Sequence, residues 1–115
     1  MSLGISFADY QEASRATAVY PRTTIPDALT YVLLGLCGEA GETANKYKKV
    51  LRDKGGVIGE EEQKQLADEL GDVLWYIAQI ATELKLDLGK IAEMNLHKLA
   101  TRKTKGTLQG SGDKR

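Results

Sequence analysis

The amino-acid sequence predicts an all-α fold, a four-helix bundle, on three observations. Apolar residues recur at i, i+3/i+4 spacing along most of the chain. Alternating, strand-like runs are almost absent. The stop signals Tyr20-Pro21, Gly55-Gly56 and the polar stretch after Arg102 divide the chain into four helix-sized blocks.

The first block begins at Ser6, an N-cap residue with Asp9 three positions on, and runs to about Val19 before Pro21 stops it. Thr24-Ile-Pro26 opens the second, where proline suits a first helical turn, and this block runs to about Asp53. Gly59 then precedes Glu60-Glu61-Glu62, an acidic first turn matched to the positive end of a helix dipole. That third helix reaches Leu84 or Lys85. Asp87 caps the fourth, which runs to about Arg102 or Lys103. Residues 1–103 therefore read as one helical domain, and Thr104–Arg115 as a basic, Gly-rich C-terminal tail.

A length of 115 residues fits one domain, and 42% apolar with 28% charged residues is the balance of a soluble globular protein. Sixteen basic and sixteen acidic side chains cancel, which argues against a protein whose main task is coating nucleic acid or anionic membrane. The cancellation is uneven. Residues 1–100 hold 11 basic and 15 acidic groups, a balance of −4, and residues 101–115 hold 5 and 1, a balance of +4. Cys37 is the only cysteine, so an internal disulfide or a cysteine-based zinc site is excluded. The longest apolar run, Tyr31–Cys37, is far short of the roughly 20 residues that span a membrane. No basic segment followed by an apolar run opens the chain, so the expected location is cytoplasmic.

The third helix carries Leu66, Leu70, Val73, Leu74, Ile77, Ala81 and Leu84 as one apolar stripe, with Glu69, Asp72 and Tyr76 along its edge. The second helix repeats the plan. Leu29, Val32, Leu36, Ala40 and Tyr47 form its apolar face, with Glu39, Glu42 and Lys46 at the margin. Packing the two faces together lets the acidic margins meet. Glu39 with Glu42, and Glu69 with Asp72, are i, i+3 pairs that each project two carboxylates from one helix face. A hard divalent ion turns such repulsion into coordination, and oxygen-only ligation favours Mg²⁺ or Mn²⁺ over zinc. Because Mg²⁺ usually completes its shell with water and phosphate oxygens, the pattern points to a phosphorylated substrate. Spacing alone equally admits solvated flank charges, with Glu42–Lys46 an ordinary i, i+4 pair. Gly35, Gly38, Gly41 and Gly71 each cost a helix about 1 kcal/mol relative to Ala. Close helix approach or room for a ligand would offset that cost.

Leu34-Gly-Leu-Cys-Gly-Glu-Ala-Gly-Glu42 and Ala67-Asp-Glu-Leu-Gly-Asp-Val-Leu-Trp-Tyr76 together resemble the signature of MazG-like nucleoside triphosphate pyrophosphohydrolases. Asn95-Leu-His-Lys-Leu-Ala-Thr-Arg102 and Gly106-Thr-Leu-Gln-Gly-Ser-Gly-Asp-Lys-Arg115 resemble the small, single-domain, phage-type branch, so the likeness covers nearly the whole chain. It implies an all-α, oligomeric, Mg²⁺-dependent enzyme that hydrolyses a (d)NTP to (d)NMP and pyrophosphate in nucleotide-pool housekeeping. It also implies that Glu39, Glu42, Glu69 and Asp72 are the catalytic metal ligands. The family pattern is Glu-Glu-x-x-Glu followed by Glu-x-x-Asp; Gly38 stands at the first Glu, and the first motif keeps two carboxylates. That departure motivates a different reading, a catalytically silent helical interaction module with the same bundle.

Asn95, Lys98 and Arg102 share one face of the fourth helix, an amide, an ammonium and a guanidinium suited to a polyphosphate. Lys46 and Lys49 are further phosphate candidates, or else serve the negative end of a helix dipole. Tyr76, one turn beyond Asp72, is placed to touch sugar or base. Trp75 reads as core or subunit interface and Cys37 as a small buried residue. His97 stands alone, which excludes a di-iron carboxylate bundle. Apolar residues on several faces of the second and third helices predict a homodimer or a dimer of dimers. The expected partner is the nucleoside triphosphate; neither membrane nor nucleic acid is expected.

Overall fold

Capping chemistry sets where the helices begin. In the computed structural model, which describes residues 4–21 and 27–115, these are α1 (Phe7–Ser14, continued by a 3-10 turn at Arg15–Thr17), α2 (Ala28–Lys54), α3 (Glu60–Glu83) and α4 (Leu88–Lys105). Ser6 Oγ accepts the Asp9 N–H at 3.1 Å, Asp27 Oδ1 the Thr30 N–H at 2.6 Å, and Asp87 Oδ1 the Lys90 N–H at 3.1 Å. Each bond satisfies a first-turn donor that the helix itself leaves unpaired. The Pro26 reading lies outside the described residues. Gly55 and Gly106, at φ 60° and 72°, close α2 and α4 in the left-handed region that disfavours a side chain. All regular structure among the described residues is helical, and no helix is long and apolar enough to cross a membrane.

α2 and α3 form a hairpin whose register is marked by the Lys54–Glu62 and Lys46–Glu69 ion pairs and by Tyr76 against Gly35. α1 lies across α3, and α4 packs against α1. Helix α1 stops at Ser14, short of the expected Val19. The reason is tertiary: the tightened chain lets Arg15 donate to Gln79 Oε1 at 2.8 Å and Thr17 Oγ1 accept from Trp75 Nε1 at 2.9 Å. Gln11 bridges three elements, donating to Thr82 Oγ1 and Leu86 O and accepting the Leu88 N–H. Helix α4 runs past Lys103 to Lys105.

The core is small, with Ala78, Ala81 and Leu88 at its centre and Tyr10 and Ile77 against it. The apolar stripe of α3 is covered only in part. Ala81 is buried as expected, but Leu70 is 59% exposed and Leu84 also faces solvent, because α1 covers the Ala78–Gln79–Ala81 side instead. Tyr47 and Ala40 on α2 are likewise exposed, and so is Cys37, against the expectation of a buried thiol. The accessible surface is 8499 Å², where a compact monomer of this mass exposes about 6,200 Å². The radius of gyration, 17.2 Å, exceeds the roughly 13 Å of a compact chain of this length. One copy alone leaves much apolar surface in water.

Candidate metal centre

Glu39 comes from the middle of α2, and Glu69 and Asp72 from successive turns of α3 where the two helices face each other. One carboxylate oxygen from each of the three lies within 4.8 Å of the others. Glu42, one turn along α2, is exposed and outside that group, although its charge still acts on Glu39. Of the four predicted carboxylates, the fold thus brings three together.

Their electrostatics differ. Lys46 Nζ donates to Glu69 Oε1 at 2.9 Å, pairing across the helices and not along α2 with Glu42. This bond holds Glu69 below the ordinary carboxylate range, and Glu69 in turn raises the Lys46 ammonium. Glu39 is held above it. A proton on Glu39 lets it share a hydrogen bond with Glu69, and burial and the charges of Asp72, Glu69 and Glu42 push the same way. A proton on Glu39 aside, buried Glu69 Oε2 has no hydrogen-bond donor in the described structure.

Gly35 gives the site its floor. The Tyr76 ring rests on the bare α2 backbone there, so close that a Cβ on Gly35 would stand 2.1 Å from Tyr76 Cε1. Trp75 meets the same ring edge-on at 5.1 Å. Burial raises the Tyr76 hydroxyl, with the charges of Tyr31, Glu39 and Asp72 adding to it. No atom beyond the local helix lies within 4 Å of a Cβ at Gly38, Gly41 or Gly71, so these positions leave open space around the carboxylates.

Lys46 and Lys49 border a cavity of about 460 Å³ between α2 and α3, together with Val50, Asp53, Lys54, Glu62 and Gln65. Asn95 and Lys98 line a separate cleft of about 350 Å³ with Ile91 and Met94 and no residue of α2 or α3. Arg102, expected on the same helix face as a phosphate contact, is 5% exposed. Its guanidinium donates to Asp113 O at 2.8 Å and lies 3.3 Å from Asp113 Oδ1, and Lys98 reaches that carboxylate at 3.4 Å. Arg115 donates to Thr107 O and Leu108 O, so the segment after α4 folds back on the helix. His97 is exposed.

Comparison with known proteins gives two findings. Residues 28–107 match the family model of the MazG nucleotide pyrophosphohydrolase domain. The chain belongs to the MazG family. The MazG chain is also 52% identical, over 109 residues, to the "Gene 37 protein" of Mycobacterium phage L5, covering 92% of this chain and 96% of that one. No solved structure matches it. MazG membership implies a divalent metal, and the residues present fit one. All three gathered groups offer hard oxygen donors, and Glu69 Oε2 is a buried acceptor lacking a partner. Ligand oxygens about 2.1 Å from Mg²⁺ sit about 3–4.2 Å apart, so only small side-chain adjustments separate this grouping from a coordination shell. Sequence reasoning missed that Gly35 seats Tyr76, that Lys46 belongs to Glu69 and that Arg102 is buried. The i, i+3, i+6 glycine spacing was the signal for the first; the other two had none.

Proposed function

We propose that this MazG protein is a Mg²⁺-dependent nucleoside triphosphate pyrophosphohydrolase, cleaving (d)NTP to (d)NMP and pyrophosphate as cytoplasmic nucleotide-pool housekeeping. The observation that carries the reading is the meeting of Glu39, Glu69 and Asp72 across α2 and α3, beside a buried carboxylate oxygen that lacks a donor. In this proposal those three carboxylates hold the ion, with Glu42 a fourth ligand reached by rotation about its side chain. Bound Mg²⁺ supplies charge neutralisation on the phosphates and polarises them. Water adds to the α-phosphorus while the bond from that phosphorus to the bridging oxygen breaks, and pyrophosphate leaves. The water's proton passes to one of the site's glutamates.

Lys49, on the open cavity between α2 and α3, is the α2 lysine suited to the polyphosphate, since Lys46 on the same cavity is held by Glu69. Tyr76 offers a ring face to the sugar or base. Asn95, Lys98 and Arg102 form a second candidate phosphate set, whose two cations, Lys98 and Arg102, already carry the Asp113 carboxylate. A homodimer at least, or a dimer of dimers, completes the proposal. The roughly 2,300 Å² of accessible surface beyond a compact monomer's matches what one subunit buries in an obligate dimer. Leu34 and Leu96, 68% and 69% exposed, are part of that surface.

Pyrophosphate release from a panel of NTPs and dNTPs, with and without Mg²⁺, is the test. Release that needs Mg²⁺ and is lost in Glu69→Gln supports the proposal. No release from any nucleotide by folded protein leaves the silent helical module in its place. A sedimentation mass equal to the monomer would remove the oligomer from the proposal.

A further inference from the structure

We infer that Lys46 is a positioning residue for the metal site, acting through Glu69 and not on the triphosphate. The inference rests on the metal-dependent reading above and deepens it. The two oxygens of Glu69 are unlike. Oε1 accepts the Lys46 ammonium at 2.9 Å, and Oε2 is buried with no hydrogen-bond partner. The lysine therefore fixes the carboxylate by Oε1 and leaves Oε2 untouched, in a side chain that brings an oxygen within 4.8 Å of oxygens of Glu39 and Asp72.

Charge gives this tether its work. Three carboxylates gathered within 4.8 Å repel one another, and with no ion present each gains by turning out toward water. An ammonium on Glu69 cancels one of the three charges and restrains a side chain with many rotamers. It reaches from α2 to α3 at a point where the Lys54–Glu62 pair, two turns further along α2, holds the same hairpin in register. Lys46 also repels an incoming cation. That repulsion acts across the carboxylate, from the oxygen not offered to the ion, and beside an open cavity where mobile ions screen it. Orientation of a ligand by its outer partner is worth about tenfold to a hundredfold in metal affinity, so the tether outweighs the repulsion.

The test is calorimetric titration of the full chain, without nucleotide, with Mn²⁺ and with Mg²⁺. Lys46→Met is expected to bind about tenfold more weakly than wild type at unchanged stoichiometry. Lys46→Arg, which keeps the charge, should recover most of the affinity. At saturating Mg²⁺ a non-hydrolysable dNTP analogue should bind wild type and Lys46→Met within about twofold of each other. Metal affinity that is unchanged or increased in Lys46→Met overturns the inference, making the ammonium a bystander or a competitor. A loss confined to the nucleotide analogue overturns it too, making Lys46 a phosphate contact. Lys46→Gln replaces the Met variant if circular dichroism shows that Met disturbs folding. A wild-type chain that takes up neither ion defeats the metal-dependent reading itself, a failure distinct from these.

Discussion

Replacing Gly35 by alanine tests how the α2–α3 hairpin is seated. A Cβ there would lie 2.1, 2.4 and 2.6 Å from Tyr76 Cε1, Cζ and Cδ1, whereas carbon atoms in contact sit about 3.5–4.0 Å apart. Either the ring retreats by about 1.5 Å or the helices part by as much. Overfilling a packed site costs about 1–3 kcal/mol. The upper end applies, because three ring atoms are struck and Trp75 backs the same ring at 5.1 Å. Alanine returns about 1 kcal/mol of helix propensity, leaving a net loss of about 2 kcal/mol. That corresponds to a fall in Tm of about 10 °C for a domain of this size. Thermal unfolding followed by far-ultraviolet circular dichroism, at one fixed protein concentration, reads it. The decisive arm is the sign. In a Tyr76→Ala background the three ring atoms nearest the new Cβ are gone, and Gly35→Ala should then stabilise by up to about 1 kcal/mol. A Gly35→Ala protein as stable as wild type, or equally destabilised in both backgrounds, would refute the argument.

Three further outcomes follow from other contacts. Arg102→Ala removes the donor that holds Asp113, so amide hydrogen exchange in residues 107–115 should quicken about tenfold or more, with α2 and α3 unchanged. Gln79 is fully buried, donating to Ser14 Oγ at 2.7 Å and accepting from Arg15 at 2.8 Å; Gln79→Leu removes both bonds and should cost about 1–3 kcal/mol in thermal unfolding, at about 0.5–1.5 kcal/mol each. Glu39 is raised above the ordinary glutamate value of 4.5, so the folded chain keeps a proton there that the unfolded chain has lost. Its contribution to metal-free stability therefore falls as pH rises from 4.5 through the folded pKa, and divalent-ion affinity rises over the same window. Comparing wild type with Glu39→Gln, by melts with and without Mg²⁺, isolates that term.

What the sequence made legible is what local chemistry decides. Ser6 and Asp87 cap their helices, and Gly59 opens α3, because a cap depends only on the next three residues. The acidic margins were legible for the same reason, since i, i+3 spacing fixes a helix face. A helical wheel does not say what covers a face. Leu70 and Ala81 belong to one predicted stripe, yet α1 reaches Ala81 and leaves Leu70 in water. Gly35, Gly38 and Gly41 look alike in sequence, and only the arrival of Tyr76 from α3 separates the first from the others. Glu42 fell outside the cluster because a helix face is broader than a coordination shell. The burial of Arg102 was not legible because its cover, the Gly112–Asp113 backbone, returns only through glycines at positive φ.

The two charged sets singled out in the sequence share a property that their neutral sum conceals. Each is already met by an opposite charge from its own chain: Lys46 sits on Glu69, and Asp113 sits between Lys98 and Arg102. The consequences differ. Lys46 engages one oxygen of Glu69 and leaves the second without a partner, so a cation can enter without breaking the ion pair. Asp113 instead lies on both cations of the α4 face, and its backbone oxygen holds the Arg102 guanidinium as well. A phosphate seeking Lys98 and Arg102 has to displace a folded segment and expose a buried arginine. One seeking Lys49 has only to enter an open cavity, which Lys46, the partner of Glu69, also lines. On that physical ground the α2 lysine is the one of the two that a phosphate group reaches at lower cost. The α4 face answers first to its own chain.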